Sequence, residues 1–224
     1  MLKCDIIFVV INLTQIIDIN DNIEKIELLE KINFLANEIK QGKIAILPTS
    51  TIYGICTNAF NEESVKRIYD VKKRDVSKPL IVLVNSKEML NNITYGLNDL
   101  EAKITEKFWP GPLTVILKKK NNISDAVTAN KQTLGVRWDS NFVINKILEI
   151  AKVPIVAPSA NISGHNNADS IESIEEEVKR KVDYIVNIGK LTNLETSTLI
   201  QIEKEDIKIL REGRIKKDEL IKFI

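Results

Sequence analysis

The chain has 224 residues, of which 44% are apolar and 28% are charged, a composition that favours a folded protein with a sizeable core over a disordered one. The 32 Lys and Arg residues nearly balance the 31 Asp and Glu residues, so no overall field would draw the whole molecule onto nucleic acid or anionic lipid. Two cysteines and a single histidine, His165, exclude a disulfide framework and a zinc cluster built from cysteine or histidine.

The start of the chain lacks the pattern of a membrane or export signal. Its longest apolar run, Ile6 to Ile11, has six residues. A membrane helix needs about 20 apolar residues, and the apolar core of a signal peptide about 7–15. We therefore expect a cytoplasmic protein without a membrane span. Residues 1–14 are interpreted as an N-terminal extension of unknown role, followed by one domain over 15–224.

Hydrophobic periodicity predicts alternating helices and strands along the chain. Apolar residues at spacings of three and four indicate helices, and short runs rich in β-branched residues indicate buried strands. The predicted elements are a helix over 23–39, a strand over 43–47, a helix over 61–72, a strand over 79–84, a helix over 100–108, strands over 113–117 and 133–138, a helix over 140–150, a strand over 154–157, a helix over 169–182, strands over 184–188, 197–202 and 207–210, and a terminal helix over 218–223. This order favours a single α/β domain with a mostly buried sheet.

Polar and cationic side chains cluster at the ends of these elements. The sequence has neither the glycine-rich dinucleotide motif nor a P-loop, so side chains would have to hold any nucleotide. In α/β sheets, ligands bind in the crevice beyond the carboxyl ends of strands. A crevice that gathers cations there suits a polyanion such as a triphosphate. The four cations in question are Lys72, Arg74, Arg137 and Arg211.

Taken one at a time, these groups also have ordinary structural explanations. Lysines and arginines at helix ends usually complement the helix dipole, and hydroxyls after strands usually cap a turn. Cys56 is interpreted as a small buried residue, because no histidine lies near it in sequence. His165 is interpreted as an exposed residue of a polar loop. The residues alone therefore predict an α/β protein with an anion crevice and leave its reaction open.

Six sequence blocks, read as strings, resemble one family. The blocks are Pro48–Gly54 (PTSTIYG), 70–82 with its K-x-R and P-L-I elements, Phe108–Thr114 (FWPGPLT), Val136-Arg137, Ala157–Gly164 (APSANISG), and Ser197-Thr198 together with Ile209–Gly213. They resemble, in order, the motifs of the YrdC family of threonylcarbamoyl-AMP synthases, in its short, single-domain form. The resemblance runs from about Ile16 to Arg214. Ser50 departs from it, because the family usually has Asp or Glu there.

This resemblance implies a fold and a reaction. The fold is an open, twisted mixed sheet with flanking helices and a large, concave, cationic cavity. The reaction joins L-threonine, bicarbonate and ATP, with Mg²⁺ accompanying the triphosphate, into L-threonylcarbamoyladenylate and pyrophosphate. The product then passes to the tRNA threonylcarbamoyl transferase machinery, which modifies adenosine 37 of tRNA. No metal site of the protein itself is implied.

The resemblance also implies roles for individual residues. The family's K-x-R and S-x-N residues, treated as catalytic, correspond to Lys72, Arg74, Ser159 and Asn161. The positions that contact ATP correspond to Arg74, Lys78, Thr133, Asn161, Asp169 and Arg211. The positions that hold threonine correspond to Thr51, Arg137, Ser159 and Ser197, with Arg137 expected to grip the carboxylate with two hydrogen bonds.

Two other functions remain as alternatives. The same positive cavity would serve an RNA-binding module, or weak RNA binding beside catalysis. Only 5% of the residues are aromatic, which counts against recognition by base stacking. A related carbamoyl-adenylate-handling domain of hydrogenase maturation normally lies in a much longer chain with zinc-finger-like segments, which this sequence lacks.

Overall fold

The computed structural model of the protein describes residues 14–20, 22–192, 194–204 and 206–223. The N-terminal extension expected over 1–14 therefore lies, except for Thr14, outside the described residues. The Thr14 hydroxyl hydrogen bonds to the carbonyl oxygens of Lys179 and Val182, at 2.6 and 2.8 Å. These contacts place Thr14 against the body of the domain.

The helices lie between and around the strands. They are α1 (Lys25–Lys40), α2 (Glu62–Lys72), α3 (Lys87–Ile93), α4 (Asp99–Phe108), α5 (Asp125–Thr128), α6 (Phe142–Ala151), α7 (Glu176–Lys179) and α8 (Lys217–Leu220), with a 3-10 turn over Ile221–Phe223. Asparagine side chains accept hydrogen bonds from the first backbone N–H groups of α2, α4 and α6, which fixes where these helices begin.

Ten strands form one sheet across the described residues. They are β1 (Gln15–Asp18), β2 (Ala45–Pro48), β3 (Tyr53–Asn58), β4 (Ile81–Val84), β5 (Leu113–Lys118), β6 (Thr133–Trp138), β7 (Ile155–Val156), β8 (Tyr184–Asn187), β9 (Thr198–Glu203) and β10 (Asp206–Arg211). Their order is β1-β8-β2-β3-β7-β4-β6-β5-β9-β10. The sheet is mixed: pairs such as β4–β6 and β5–β9 are parallel, and pairs such as β2–β3 and β5–β6 are antiparallel. The predicted α/β fold with a mixed sheet and flanking helices is confirmed.

The sheet separates two hydrophobic clusters. Neighbouring residues of a strand point to opposite faces, so Ile46 packs into one cluster while Ala45 and Leu47 pack into the other. Helices α1 and α6 pack against each other and cover the second face with Ile32 and Ile144 among their buried side chains. The first face is covered by other helices, including α2 and α4. Both faces of the central strands are therefore buried.

The helix predicted over 169–182 is wrong. Only Glu176–Lys179 is α-helical there, and turns and bends occupy 169–174. The Ser173 hydroxyl accepts hydrogen bonds from the backbone N–H groups of Asp169 and Ser170 and contacts the Asp169 carboxylate at 3.0 Å. The carbonyls of Asp169 and Ser170, which a helix would pair with backbone N–H groups four residues on, instead accept from Leu191 N–H at 2.7 Å and from the Ser173 hydroxyl at 2.8 Å. The apparent capping pattern therefore closes a turn.

The sequence pattern also missed several elements, namely β1, β3, α3 and α5. Strand β3 matters most for the site, because it returns antiparallel to β2 directly after the turn 49–52. On its other side β3 pairs with β7, and the backbone of Ser159 forms a bridge with Gly54. The segments after β2 and after β7 therefore meet across β3.

Candidate active site

One cavity of about 150 Å³ collects six of the predicted side chains: Thr51, Arg74, Arg137, Ser159, Ser197 and Arg211. Three strands end beside it. Thr51 follows β2, Arg137 is the residue before the last of β6, and Ser159 lies in the segment after β7. The expected crevice beyond strand ends is thus present, with three arginines in its wall.

Arg137 is the most enclosed of these arginines, with 2% of its surface exposed. Its Nε donates to the Gly111 carbonyl at 3.0 Å, its Nη1 to Thr51 Oγ1 at 2.9 Å, and its Nη2 to Ser50 Oγ at 2.6 Å. Nη2 also forms an ion pair with Asp139 Oδ2 at 2.6 Å. Every guanidinium nitrogen therefore already has a protein oxygen. A two-bond grip on a carboxylate would require Nη2 to exchange one of its partners for the ligand.

Arg74 and Arg211 are held more loosely, by main-chain oxygens. Arg74 is half-buried and donates from Nε to the Lys78 carbonyl and from Nη2 to the Pro79 carbonyl, at 3.1 and 2.8 Å. Arg211 is exposed, and its Nη2 donates to the carbonyl and the hydroxyl of Ser197, at 2.9 and 3.1 Å. The Ser197 hydroxyl in turn lies 2.7 Å from Thr114 Oγ1, so it has a fixed place in the wall.

The cations of this site repel one another. Although part of the Arg211 side chain is exposed, partial desolvation of its guanidinium against Ser197 lowers the pKa of Arg211, and the charge of Arg74 lowers that pKa further. Burial likewise lowers the pKa of Arg137; Asp139 opposes this shift, while Arg211 and Arg214 add to it. Charges that disfavour each other in the free protein are stabilised when an anion binds among them. The cavity is therefore prepared electrostatically for an anionic ligand.

Lys72 lies behind the cavity wall, with 1% of its surface exposed. Its Nζ donates to the Ser159 and Asn161 carbonyls and to Asn161 Oδ1, and the Lys72 carbonyl accepts from Ser163 N at 2.8 Å. Burial and the nearby Arg74 charge lower the pKa of Lys72 to about 7. The lysine thus fixes the shape of the 159–163 segment from behind.

Asn161 belongs to the same arrangement. Its Oδ1 accepts from Ser159 Oγ at 2.5 Å, and its Nδ2 donates to the His165 carbonyl at 2.6 Å. Asn161 is buried and does not line the cavity, whereas Ser159 does. Of the four residues predicted as catalytic, two reach the cavity and two support it.

Besides Asn161, three predicted ATP contacts lie outside the cavity wall: Lys78, Thr133 and Asp169. Lys78 is exposed and uses its carbonyl to hold Arg74. Thr133 is the first residue of β6, at the far end of that strand from Arg137. The Asp169 carboxylate pairs with Lys190 at 3.1 Å and with Ser173. Their contact with ATP stays a prediction.

The structure adds site residues that sequence reasoning missed. Asn167 and Thr196 line the cavity, and Asp139 pairs with Arg137 behind it. Thr196 also holds Arg214, whose backbone N–H donates to the Thr196 carbonyl at 3.0 Å. This close approach depends on Gly213, because a Cβ there would lie 2.1 Å from the same carbonyl oxygen. In the sequence, only their positions next to predicted site residues could have indicated Asp139 and Thr196: Asp139 follows Arg137 by two residues, and Thr196 directly precedes Ser197.

Cys56 and His165 lie as expected. Cys56 is buried, and burial raises the pKa of its thiol. His165 is exposed, and its Nδ1 lies 2.9 Å from Glu175 Oε1. Across the described residues, no three His, Cys, Asp or Glu side chains come together in a way that would hold a metal ion. In the same part of the chain, no helix has the length and apolar character needed to cross a membrane.

A family model described as Telomere recombination, for the Sua5, YciO and YrdC proteins, matches residues 37–213. The chain belongs to this family. The matched range contains every predicted site residue.

Two archaeal relatives of the Sua5/YciO/YrdC family align with most of the chain. A protein of Methanocaldococcus jannaschii, named putative threonylcarbamoyl-AMP synthase, is 42% identical over 90% of this chain and 92% of its own length. The threonylcarbamoyl-AMP synthase of Pyrococcus abyssi is 33% identical over 95% of this chain and 61% of its own length. The chain therefore spans nearly the whole of the first relative and about three fifths of the second.

Solved structures of the family share the fold. The crystal structure of P. abyssi Sua5 in complex with L-threonine aligns with a TM-score of 0.87 and 33% identity, over 94% of this chain and 61% of that one. The structure of E. coli YciO aligns with a TM-score of 0.81 over 93% of this chain and all of that one. At 19% identity the YciO match shows the fold alone.

Proposed function

We propose that the protein joins L-threonine, bicarbonate and ATP into L-threonylcarbamoyladenylate and releases pyrophosphate. The observation that carries the proposal is the convergence of Arg74, Arg137 and Arg211 on one cavity together with the hydroxyls of Ser159 and Ser197. It occurs in a chain 42% identical to a protein named putative threonylcarbamoyl-AMP synthase. The P. abyssi Sua5 structure, bound to L-threonine, supports threonine as the amino-acid substrate.

The proposed reaction requires no covalent bond between the protein and its substrates. Bicarbonate takes up a proton and loses water to give carbon dioxide. The neutral threonine nitrogen adds to this carbon dioxide and releases a proton, so that the carbamate forms with water and without a net change in protons. A carbamate oxygen then attacks the α-phosphorus of ATP, and the bond to the β-phosphate breaks to release pyrophosphate. Two anions must approach each other in this step. Positioning and charge stabilisation therefore dominate catalysis, as in other transfers at phosphorus.

The two kinds of arginine suit the two substrates. Arg74 and Arg211, half-buried and exposed, would contact the triphosphate, whose accompanying Mg²⁺ adds further neutralisation. Arg137 and the hydroxyl of Thr51, deeper in the wall, would hold the threonine carboxylate, with Ser197 beside them. Ser159 would donate its one hydroxyl hydrogen to the carbamate in place of Asn161 Oδ1, and Lys72 and Asn161 would act as positioning residues through the 159–163 segment.

The product is a reactive mixed anhydride of a carbamate and a phosphate. We propose that it is passed in the cytoplasm to the tRNA threonylcarbamoyl transferase machinery. That machinery would place the threonylcarbamoyl group on adenosine 37 of tRNA, so this protein would supply an activated intermediate and leave the nucleic-acid chemistry to its partner.

The direct test is mass spectrometry of the product formed from threonine, bicarbonate and ATP. We expect threonylcarbamoyladenylate, with pyrophosphate release that depends on both threonine and bicarbonate. Pyrophosphate release without threonine would reject the substrate assignment. RNA affinity that is tighter than ATP affinity and falls steeply with salt would instead favour the RNA-binding module.

A further inference from the structure

Asp139 carries a carboxylate that is fully enclosed, with 0% of its surface exposed. It lies between the end of β6 and the first turn of α6. Its Oδ1 accepts from the backbone N–H groups of Ser50 at 3.0 Å and Asn141 at 2.7 Å, and its Oδ2 lies 2.6 Å from Arg137 Nη2. One side chain therefore joins the turn after β2, the end of β6 and the start of α6.

A buried ion pair of this kind is weak evidence for a stabilising role. Removing two charges from water costs about as much as their attraction returns, and apolar residues of similar volume often serve stability equally well. The Asp139 carboxylate, however, fixes the positions of residues that line the cavity. Arg137 and Thr51 line the cavity and are joined by the Nη1–hydroxyl hydrogen bond, and Asp139 holds the guanidinium and the backbone of Ser50, the neighbour of Thr51.

We propose that Asp139 is a positioning residue for the amino-acid substrate, acting through Arg137 and the Ser50–Thr51 turn. The proposal rests on the function given above, in which this side of the cavity holds the threonine carboxylate. Asp139 does not itself line the cavity, and the ATP-facing arginines Arg74 and Arg211 have no contact with it. Its removal therefore affects threonine and leaves ATP largely unaffected.

The geometry also locates where the negative charge is needed. Ser50 Oγ and Asp139 Oδ2 both lie 2.6 Å from the same nitrogen, Arg137 Nη2. A carboxylate carried by residue 50 would reach that nitrogen from the other side. A carboxylate at position 50 in place of the one at 139 would therefore still give Arg137 an anionic partner, supplied by a different residue.

The first experiment compares Asp139→Asn with the wild-type protein. An amide at 139 keeps one oxygen, which can still accept from the backbone N–H groups of Ser50 and Asn141, but it presents an NH2 group to Arg137 Nη2, so the guanidinium loses its fixed position. We expect the KM for threonine, and its Kd measured by calorimetry without ATP, to rise about 10- to 100-fold. The KM for ATP and kcat at saturating threonine should change less than about threefold.

The matched control is Asp183→Asn. Asp183 is also a largely buried carboxylate that accepts from a backbone N–H, that of Ile44, and pairs with an arginine, Arg67. It lies near the start of β2 and β8, away from the cavity. We expect the Asp183→Asn variant to bind threonine with the wild-type affinity even if its melting temperature falls.

The rescue variant combines Ser50→Asp with Asp139→Asn, and should return the threonine KM to within about threefold of wild type. The proposal is overturned by absence of rescue, by tighter threonine binding in Asp139→Asn, or by an equal loss in Asp183→Asn. If Asp139→Asn does not fold, Asp139→Ser decides, because it removes the anionic partner of Arg137 and leaves a hydroxyl that can accept from the neighbouring backbone: a threonine-specific loss supports the proposal, and unchanged affinity overturns it. A wild-type protein that neither binds threonine nor uses it would instead reject the proposed function.

Discussion

The two sides of the cavity hold their arginines in different ways. On the deep side, Arg137 is almost fully buried, and each nitrogen of its guanidinium has a protein oxygen. On the outer side, Arg74 and Arg211 donate mainly to main-chain carbonyls through Nε and Nη2. Within the described part of the chain, no protein oxygen accepts a hydrogen bond from Nη1 of either outer arginine.

This difference separates a fixed site from an adaptable one. A guanidinium held by its own network before the ligand arrives loses little entropy on binding, which suits recognition of a small amino acid. Partly exposed arginines keep donors and charge available for a larger, flexible triphosphate. Charge on the outer side is also open to solvent and salt, whereas the deep side is shielded. Loss of Arg74 and a change in salt concentration should therefore affect ATP and threonine unequally.

The largest effect is expected at the outer side, from Arg74→Ala. Losing one preorganised donor to a phosphate in the transition state typically costs about 10²–10³ in rate. We expect kcat/KM for ATP to fall by about that factor, with threonine affinity nearly unchanged, measured by pyrophosphate release. Arg180→Ala, which removes an exposed arginine outside the cavity, is the control and should retain full activity. A near-normal rate in Arg74→Ala would remove Arg74 from the site.

A second prediction concerns Lys72, which lies behind the cavity wall, and the stability of the fold. Its pKa is lowered to about 7, below the ordinary value of 10.5, so between these two pH values the unfolded chain binds more protons than the folded one. The Lys72 contribution to the free energy of unfolding therefore rises with pH across this window, with a slope approaching about 1.4 kcal/mol per pH unit. Chemical denaturation of the wild type and of Lys72→Met at several pH values from about 6 to 10 gives the free energy of unfolding of each protein. The difference between the two free energies, plotted against pH, is the Lys72 contribution. Parallel curves would contradict the prediction.

The sequence predicted the long apolar strands and amphipathic helices because their signal is local. The run over 79–84 and the periodic residues of 61–72 became β4 and α2 with small changes of boundary. Strand β3 was missed because Tyr53–Asn58 contains glycine, cysteine and polar residues, and its place depends on pairing with β2 on one side and β7 on the other. The helix predicted over 169–182 does not form at its start because Leu191 N–H and the Ser173 hydroxyl bind the carbonyls of Asp169 and Ser170.

The site divides in the same way. Residues in recognisable blocks, such as Arg137 and Ser159, were predicted, and the structure brings both to the cavity. Asp139 was missed because its partners are set by tertiary approach: Ser50, whose backbone it accepts from, is 89 residues away in sequence. No local pattern marks an aspartate whose importance comes from a turn that folds against it. The sequence therefore predicted six side chains of the wall, missed others such as Asn167 and Thr196, and missed the aspartate that holds part of the wall in place.

The smallest effect is expected from salt. Mobile ions screen the charges of the exposed outer arginines. The screening length is about 10 Å at an ionic strength of about 0.1 M and becomes shorter as salt is added. ATP carries several negative charges and threonine carries no net charge, so the KM for ATP should rise about three- to tenfold between roughly 0.05 and 0.3 M KCl. The threonine KM should change less than about twofold, because Arg137 and its partners are buried. Initial rates at both salt concentrations, with the other substrate saturating, measure the two responses. If the two KM values rose in parallel, the deep side would be as open to solvent as the outer one, and the contrast between fixed and adaptable arginines would fail.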